Sequence, residues 1–154
     1  MRRYLIFLLL FFHNYIYIYS NGRIGKLLQG RPCLILYSTG AKTNLLRKNV
    51  LVFLKEADQI CLVASKGGSP TNPGWYHNLI SNPKCEIQIG KNKFNAIARE
   101  VFDDEREEWW HKMDYMNKGG YSNYQVRTAR EIPLFVLSSL AVRPFFVRSF
   151  VRSC

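Results

Sequence analysis

"SKGGSPTNPGWYHN", Ser65 to Asn78, follows directly on the apolar run "QICLVA", Gln59 to Ala64. A strand-like run gives way to two glycines, which allow a sharp turn. Asn72-Pro73 then opens a helix, with Asn72 as cap and Pro73 at the first position. The spacing predicts that helix over Pro73 to Ile80. A strand, a glycine turn and a short helix carrying Trp75, Tyr76, His77 and Asn78 make this segment the candidate site. It also sets the fold problem: what sheet does this strand join, and what does the helix cover?

Working outward, periodicity predicts strands over Pro32 to Ser38, Arg47 to Lys55, Gln59 to Ser65, Lys84 to Ile89, Lys93 to Phe102 and Ile132 to Ser138. Six strands on this length imply a barrel or closed sheet, a β-rich α+β fold of about six strands with short flanking helices. "NVLVFL" and "ICLVA" are nearly continuous apolar runs and should be covered on both faces. "CEIQI" and "FNAIA" alternate and should be half-exposed. Turns fall at "STGAKTN", "KEAD" and "IGKN". A second helix is expected over Asp104 to Met116, capped by an Asp104/Glu107 box, with Trp109, Met113 and Met116 toward the core.

The 154 residues bound the chain to one domain with two appended ends: an apolar segment over residues 1–21, the domain over 22–139, and a basic tail over 140–154. In the N-terminal run, His13-Asn14 interrupts well short of the roughly 20 apolar residues that a spanning helix needs. The segment reads as a helix that docks on the domain or enters a membrane interface, with a cleaved signal as the alternative. In the tail, Phe146/Phe150, Val147/Val151 and Arg148/Arg152 recur at i, i+4, a basic amphipathic pattern.

Twenty-two basic against 11 acidic residues give a net charge of +11, which calls for an anionic partner or surface. Cys33, Cys61, Cys85 and Cys154 have no C-x-x-C spacing and read as reduced thiols. His13, His77 and His111 are scattered, so no metal site is expected. Asp103, Asp104, Glu105, Glu107 and Glu108 read as a solvated helix start rather than a catalytic pair. Nucleophile-elbow, P-loop and dinucleotide-binding glycine motifs are absent, which removes the main signal for acyl transfer, P-loop hydrolysis and Rossmann chemistry. "GRIG", Gly22 to Gly25, has the G-x-x-G form of an RNA clamp without that module's surroundings, and no nucleic-acid partner is expected. What remains is a distributed set of cations: Lys42, Arg47 and Lys48 around one turn, and Lys66 before the Asn72-Pro73 helix start. In a barrel these turns can converge on one mouth and hold phosphate or carboxylate groups.

The order and spacing of "TGAKTNLLRKNVL", "ASKGGSPTNPGWYHNLISNP" and "YSNYQVRTAREIP" resemble the deazaflavin-dependent nitroreductase family, which includes quinone reductases that use reduced coenzyme F420. The resemblance spans Gly22 to Leu137. It implies a split β-barrel related to those that bind flavin mononucleotide (FMN). By position it places Ala41, Lys42 and Thr43 at the cofactor, with Arg47, Lys48, Asn49, Val50, Leu51 and Val52 along the following strand. Lys42, Arg47 and Lys48 would face the phosphate and oligoglutamate tail. Backbone groups of Val63, Ala64, Ser65 and Lys66 would approach the ring. Gly74, Trp75, Tyr76, His77 and Asn78 would complete the site from the short helix, with Trp75 and Asn78 bracing the ring. Val52, Ser65, Tyr121 and Tyr124 would form the substrate side, with Ser65 or Tyr124 the candidate proton donor.

The implied activity is hydride transfer from the deazaflavin to a quinone, nitro or other activated acceptor, by a monomer or homodimer on the cytoplasmic side of a membrane. An FMN-dependent split-barrel oxidoreductase, or a non-catalytic basic module on membrane or RNA, are the alternatives. The chain departs from the family pattern in Ala41, in Asn44 for glycine, in Val50 for proline at the strand start, and in Val52 for tyrosine. Asn44 can accept a left-handed turn conformation, and Val52 implies a wider, more apolar pocket.

Overall fold

The computed structural model describes residues 12–139. The expectations for residues 1–11 and for the basic tail lie outside the described residues. Residues 12–19 form helix α1, followed by β1 (Leu27–Leu28), β2 (Arg31–Thr39), β3 (Leu46–Glu56) and β4 (Gln59–Val63). A 3-10 turn at Lys66–Gly68 leads to α2 (Gly74–Ser81), β5 (Lys84–Ile89) and β6 (Asn92–Val101). The chain then forms α3 (Asp103–Met116), α4 (Gly120–Gln125) and β7 (Leu134–Ser139).

The strands pair in the order β2-β3-β4-β7-β6-β5, and β5 returns to β2, so the antiparallel sheet closes into a six-strand barrel. Closure leaves no free edge within the ring. The short β1 adds a seventh strand beside β2, which the sequence pattern did not signal.

Alternation sorts each strand between two cores. Leu34 and Leu36 of β2, Leu62 of β4, Ile87 of β5 and Phe135 and Leu137 of β7 fill the barrel. Cys61, Val63, Leu134 and Val136 face outward and are covered by Trp109 and Met113 of α3, with Met116 beside them, as the helical spacing predicted. Cys33, Ile35 and Tyr37, on the outer face of β2, are covered by Tyr17 of α1. Cover on both faces explains the unbroken apolar runs of β2 and β4. In β3 the cover on both faces is only partial: Val50 and Leu51 pack against the outer and inner cores and Phe53 is buried, but Asn49 to Val52 remain half-buried, and Leu46 to Lys48, ahead of the apolar run, are exposed. Val50 lies inside β3, paired with Ile35, rather than at the strand start.

Two caps also differ. Pro73, not Asn72, is the N-cap of α2, and its carbonyl accepts the Tyr76 N–H. α3 begins at Asp103 with Phe102 as cap and no capping side chain, so the Asp104/Glu107 box does not form. Glu105 instead pairs with Arg99 of β6, at 2.6 and 2.7 Å.

Cys33, Cys61 and Cys85 are free and buried. Burial pushes their thiols up to about 11, 12 and 11 respectively, which keeps them protonated and unreactive near neutral pH.

Candidate functional site

α2 lies against β2 and β6 through Trp75 and Leu79, 5% and 1% exposed. The Trp75 ring meets Phe135 edge-on at 5.8 Å between centroids. One turn further on, Asn78 is 8% exposed and fully engaged. Its Nδ2 donates to Ser38 Oγ and its Oδ1 accepts the Ala41 N–H, both at 3.0 Å. This buried amide fastens the helix to the end of β2 and to the turn that follows.

That turn, Gly40 to Leu45, carries the cations. A side chain at residue 40 would lie 2.7 Å from Thr43 Oγ1, so the tight closure requires Gly40. Asn44 takes the left-handed conformation expected of it, with φ of 55°. Thr43 Oγ1 accepts from Arg47 Nη2 at 3.2 Å, which orients the guanidinium along the turn.

Between turn and helix lies a cleft of about 900 Å³. It brings together Ala41, Lys42, Thr43, Arg47, Lys48 and Asn49 from the hairpin with Gly74, Trp75, His77 and Asn78 from α2. Gly40, Leu46 and Ser81, which the sequence reading did not include, complete its wall. No acidic residue lines it, and Lys42, Arg47 and Lys48 are exposed and outside every ion pair among the described residues. Pro73 offers no capping side chain, so the first N–H groups of α2 add partial positive charge to the same opening. The arrangement is suited to a ligand with several anionic groups.

The other expected residues do not line this cleft. Val50 and Leu51 pack against the outer and inner cores, and Val63 and Ala64 are buried. Val52 is half-buried on β3, opposite Cys33. Tyr76 turns away to Glu100, its hydroxyl donating to Oε2 at 3.4 Å. Burial and the adjacent carboxylate raise the Tyr76 hydroxyl, and burial raises Glu100. Tyr121 is 6% exposed between Trp110 and Tyr124, and burial raises its hydroxyl strongly. Tyr124 is half-buried, with Arg127 over its ring at 5.5 Å.

Ser65 and Lys66 sit on the loop after β4, which has its own fastening. Arg130 Nη2 donates to the carbonyls of Ala64 and Ser65, both at 3.0 Å, and Nε donates to Ser69 O at 2.9 Å. Burial lowers the guanidinium pKa. Gly68, at φ of 79°, lets this loop meet α4: a Cβ there would lie 2.6 Å from Tyr124 O. Arg130 was missed because its partners are backbone carbonyls more than 60 residues away, and only its place in "RTAREIP" hints at a role. Lys66 donates to Thr71 Oγ1 at 2.9 Å.

A closed six-strand barrel with a short helix on one flank and a cationic cleft between them defines a split-barrel protein. The chain belongs to the F420H(2)-dependent quinone reductase family, whose model matches residues 11–139. It is 44% identical over 133 residues to an F420H(2)-dependent quinone reductase of Mycobacterium tuberculosis, covering 84% of this chain and 89% of that protein. Among solved structures, an F420-H2 dependent reductase is 37% identical with a TM-score of 0.64, covering 70% of this chain and 95% of that one. A structure described as a domain-swapped dimer is 37% identical at a TM-score of 0.65, covering 70% and 81%.

Proposed function

We propose that the protein oxidises reduced coenzyme F420 and passes its hydride to a quinone, with nitro and other activated compounds as further acceptors. The observation that carries this reading is the cleft itself, where three unpaired cations and an uncapped helix start meet in a chain of this family. The donor set fits the coenzyme, whose phosphate and oligoglutamate tail need several cations along an open groove. When bound, the deazaflavin supplies the hydride.

The chain's part is to bind, orient and exclude water. Lys42, Arg47 and Lys48 hold the anionic tail. Asn78 keeps their turn registered against α2, and Arg130 fixes the loop that presents Ser65. Reduction of a quinone to a hydroquinone takes up a proton besides the hydride, and Ser65 and Tyr124 are the side chains assigned to hold it. Val52 and the half-buried edge of Tyr124 are assigned to the acceptor side.

Fluorescence titration with reduced F420, followed by addition of a menaquinone analogue, tests the reading. Saturable binding and loss of the reduced coenzyme support it, and absence of both overturns it. Tighter binding of FMN than of F420 would replace it with the flavin reading. A homodimer is part of the proposal, supported by a similar structure described as a domain-swapped dimer, and is read by light scattering.

Among the described residues, no helix is long and apolar enough to cross a membrane. Peripheral contact with the cytoplasmic membrane surface is part of the proposal. It is supported by Tyr15, Ile16 and Tyr19, exposed at i, i+1 and i+4 along α1, and is read by vesicle co-sedimentation of the full chain.

A further inference from the structure

We propose that a second cavity, at the other end of the β2–β3 hairpin, binds a small amphipathic carboxylate: one anionic head on an apolar body. The cavity measures about 710 Å³, within the usual range for small-molecule sites. Leu27, Pro32, Phe53 and Ile89 give it apolar walls, and Arg23, Lys26 and Lys91 bring three cations to it.

No acidic residue lines the cavity, and among the described residues none of the three cations is in an ion pair. All three cations are exposed, as are Leu27 and Pro32, while Ile89 is half-buried and Phe53 is buried, so charge and accessible apolar surface stand side by side in the cavity. Lys26 folds over the β5–β6 turn, its Nζ 3.9 Å from where a side chain on Gly90 would begin.

The buried polar atoms in the lining are already paired. The Tyr17 hydroxyl donates to Cys33 O at 3.0 Å and accepts the Gly90 N–H at 3.3 Å, and Cys33 Sγ donates to Gly25 O at 3.2 Å. Recognition therefore falls to the exposed cations for the head and to the walls for the body.

The cavity is separate from the cationic cleft. The run of β2 from Cys33 to Thr39 spans about 20 Å at roughly 3.3 Å per residue.

Isothermal titration of the full chain with dodecanoate, below its micelle concentration, tests the proposal. Dodecanol serves as the neutral probe and anionic phosphatidylglycerol vesicles as the lipid-headgroup probe. Saturable dodecanoate binding is expected, weakened about tenfold or more in an Arg23→Gln, Lys26→Gln, Lys91→Gln variant and about tenfold weaker for dodecanol. F420-dependent turnover of that variant reports that it is folded. Should it not fold, the wild-type comparison of dodecanoate with dodecanol at low and high salt decides the matter. No saturable binding, equal binding of dodecanol, unchanged binding by the folded variant, or capture by anionic vesicles alone overturns the proposal.

Discussion

The two ends of the β2–β3 hairpin handle polarity in opposite ways. At the end covered by α1, polar groups are buried and paired with one another. Tyr17 bridges Cys33 and Gly90, while Gln88, fully buried, bonds to Tyr37, Asn21 and Gly90. At the turn end one buried amide, Asn78, holds the chain, and three exposed cations stand outside every ion pair among the described residues. Paired buried groups fix a conformation and have no capacity left for a ligand, so at the covered end only the exposed cations Arg23, Lys26 and Lys91 can take one. Exposed charges outside ion pairs add little to folding and are available to bind. Substitutions of the buried groups at one end and of the turn cations at the other should therefore separate the two ends, one losing stability and the other F420 affinity.

The largest effect is expected at the covered end. Gly22 has φ of 74°, and a Cβ there would run into the Gly90 carbonyl, where Gln88 also docks. Gly22→Ala adds left-handed strain to a backbone clash, a cost on the order of 3 kcal/mol. Thermal unfolding should fall by roughly 10 °C. A midpoint within about 2 °C of wild type would break the comparison, because this end would then be as yielding as the other.

Asn78→Leu comes next and should lose both properties. It strands the Ser38 hydroxyl and the Ala41 N–H, a loss of about 2 kcal/mol, and frees the turn that carries Lys42. Unfolding and F420 titration should shift together. Lost stability with unchanged affinity would show that the turn holds its shape without α2.

Arg130→Lys keeps the charge but cannot span three carbonyls with one ammonium, so about 1 to 2 kcal/mol should be lost. Because the loop it fastens presents Ser65, kcat should fall more than the KM for F420 rises. A change in KM alone would place this loop on the cofactor side instead.

How much of this was legible in the sequence follows the range of the interactions involved. Strand limits were readable to within about two residues from apolar runs and turns, because a period of two and a glycine turn are local properties. The turn cations and the Trp75 to Asn78 helix were readable as one site from motif order, and they meet at the cleft. What escaped was set by distant backbone: the docking of Tyr17 on Cys33 and Gly90, the Arg130 fastening, and burial of Tyr121 under α3. Asn78 has protein partners that the motif did not reveal. A buried asparagine next to a cofactor motif reads as a ligand contact until Ser38 and Ala41, about 40 residues away, are seen to use its amide.

The smallest change in stability, and the sharpest separation of the two ends, belongs to Lys42→Ala with Arg47→Ala. Both side chains are exposed, so unfolding should move by no more than about 0.5 kcal/mol. Each cation within about 4 Å of a phosphate or carboxylate contributes on the order of 1 kcal/mol in a solvent-like dielectric. Loss of both should then weaken F420 binding by roughly 10- to 30-fold at low salt. Screening lengths of about 30 Å at 0.01 M and 3 Å at 1 M predict that most of this difference disappears in concentrated salt. Arg23→Gln with Lys91→Gln removes the same charge from the covered end and should leave F420 affinity unchanged. If both pairs weakened F420 equally, the effect would belong to net charge rather than to the cleft. If neither did, the anionic tail would lie elsewhere on the barrel.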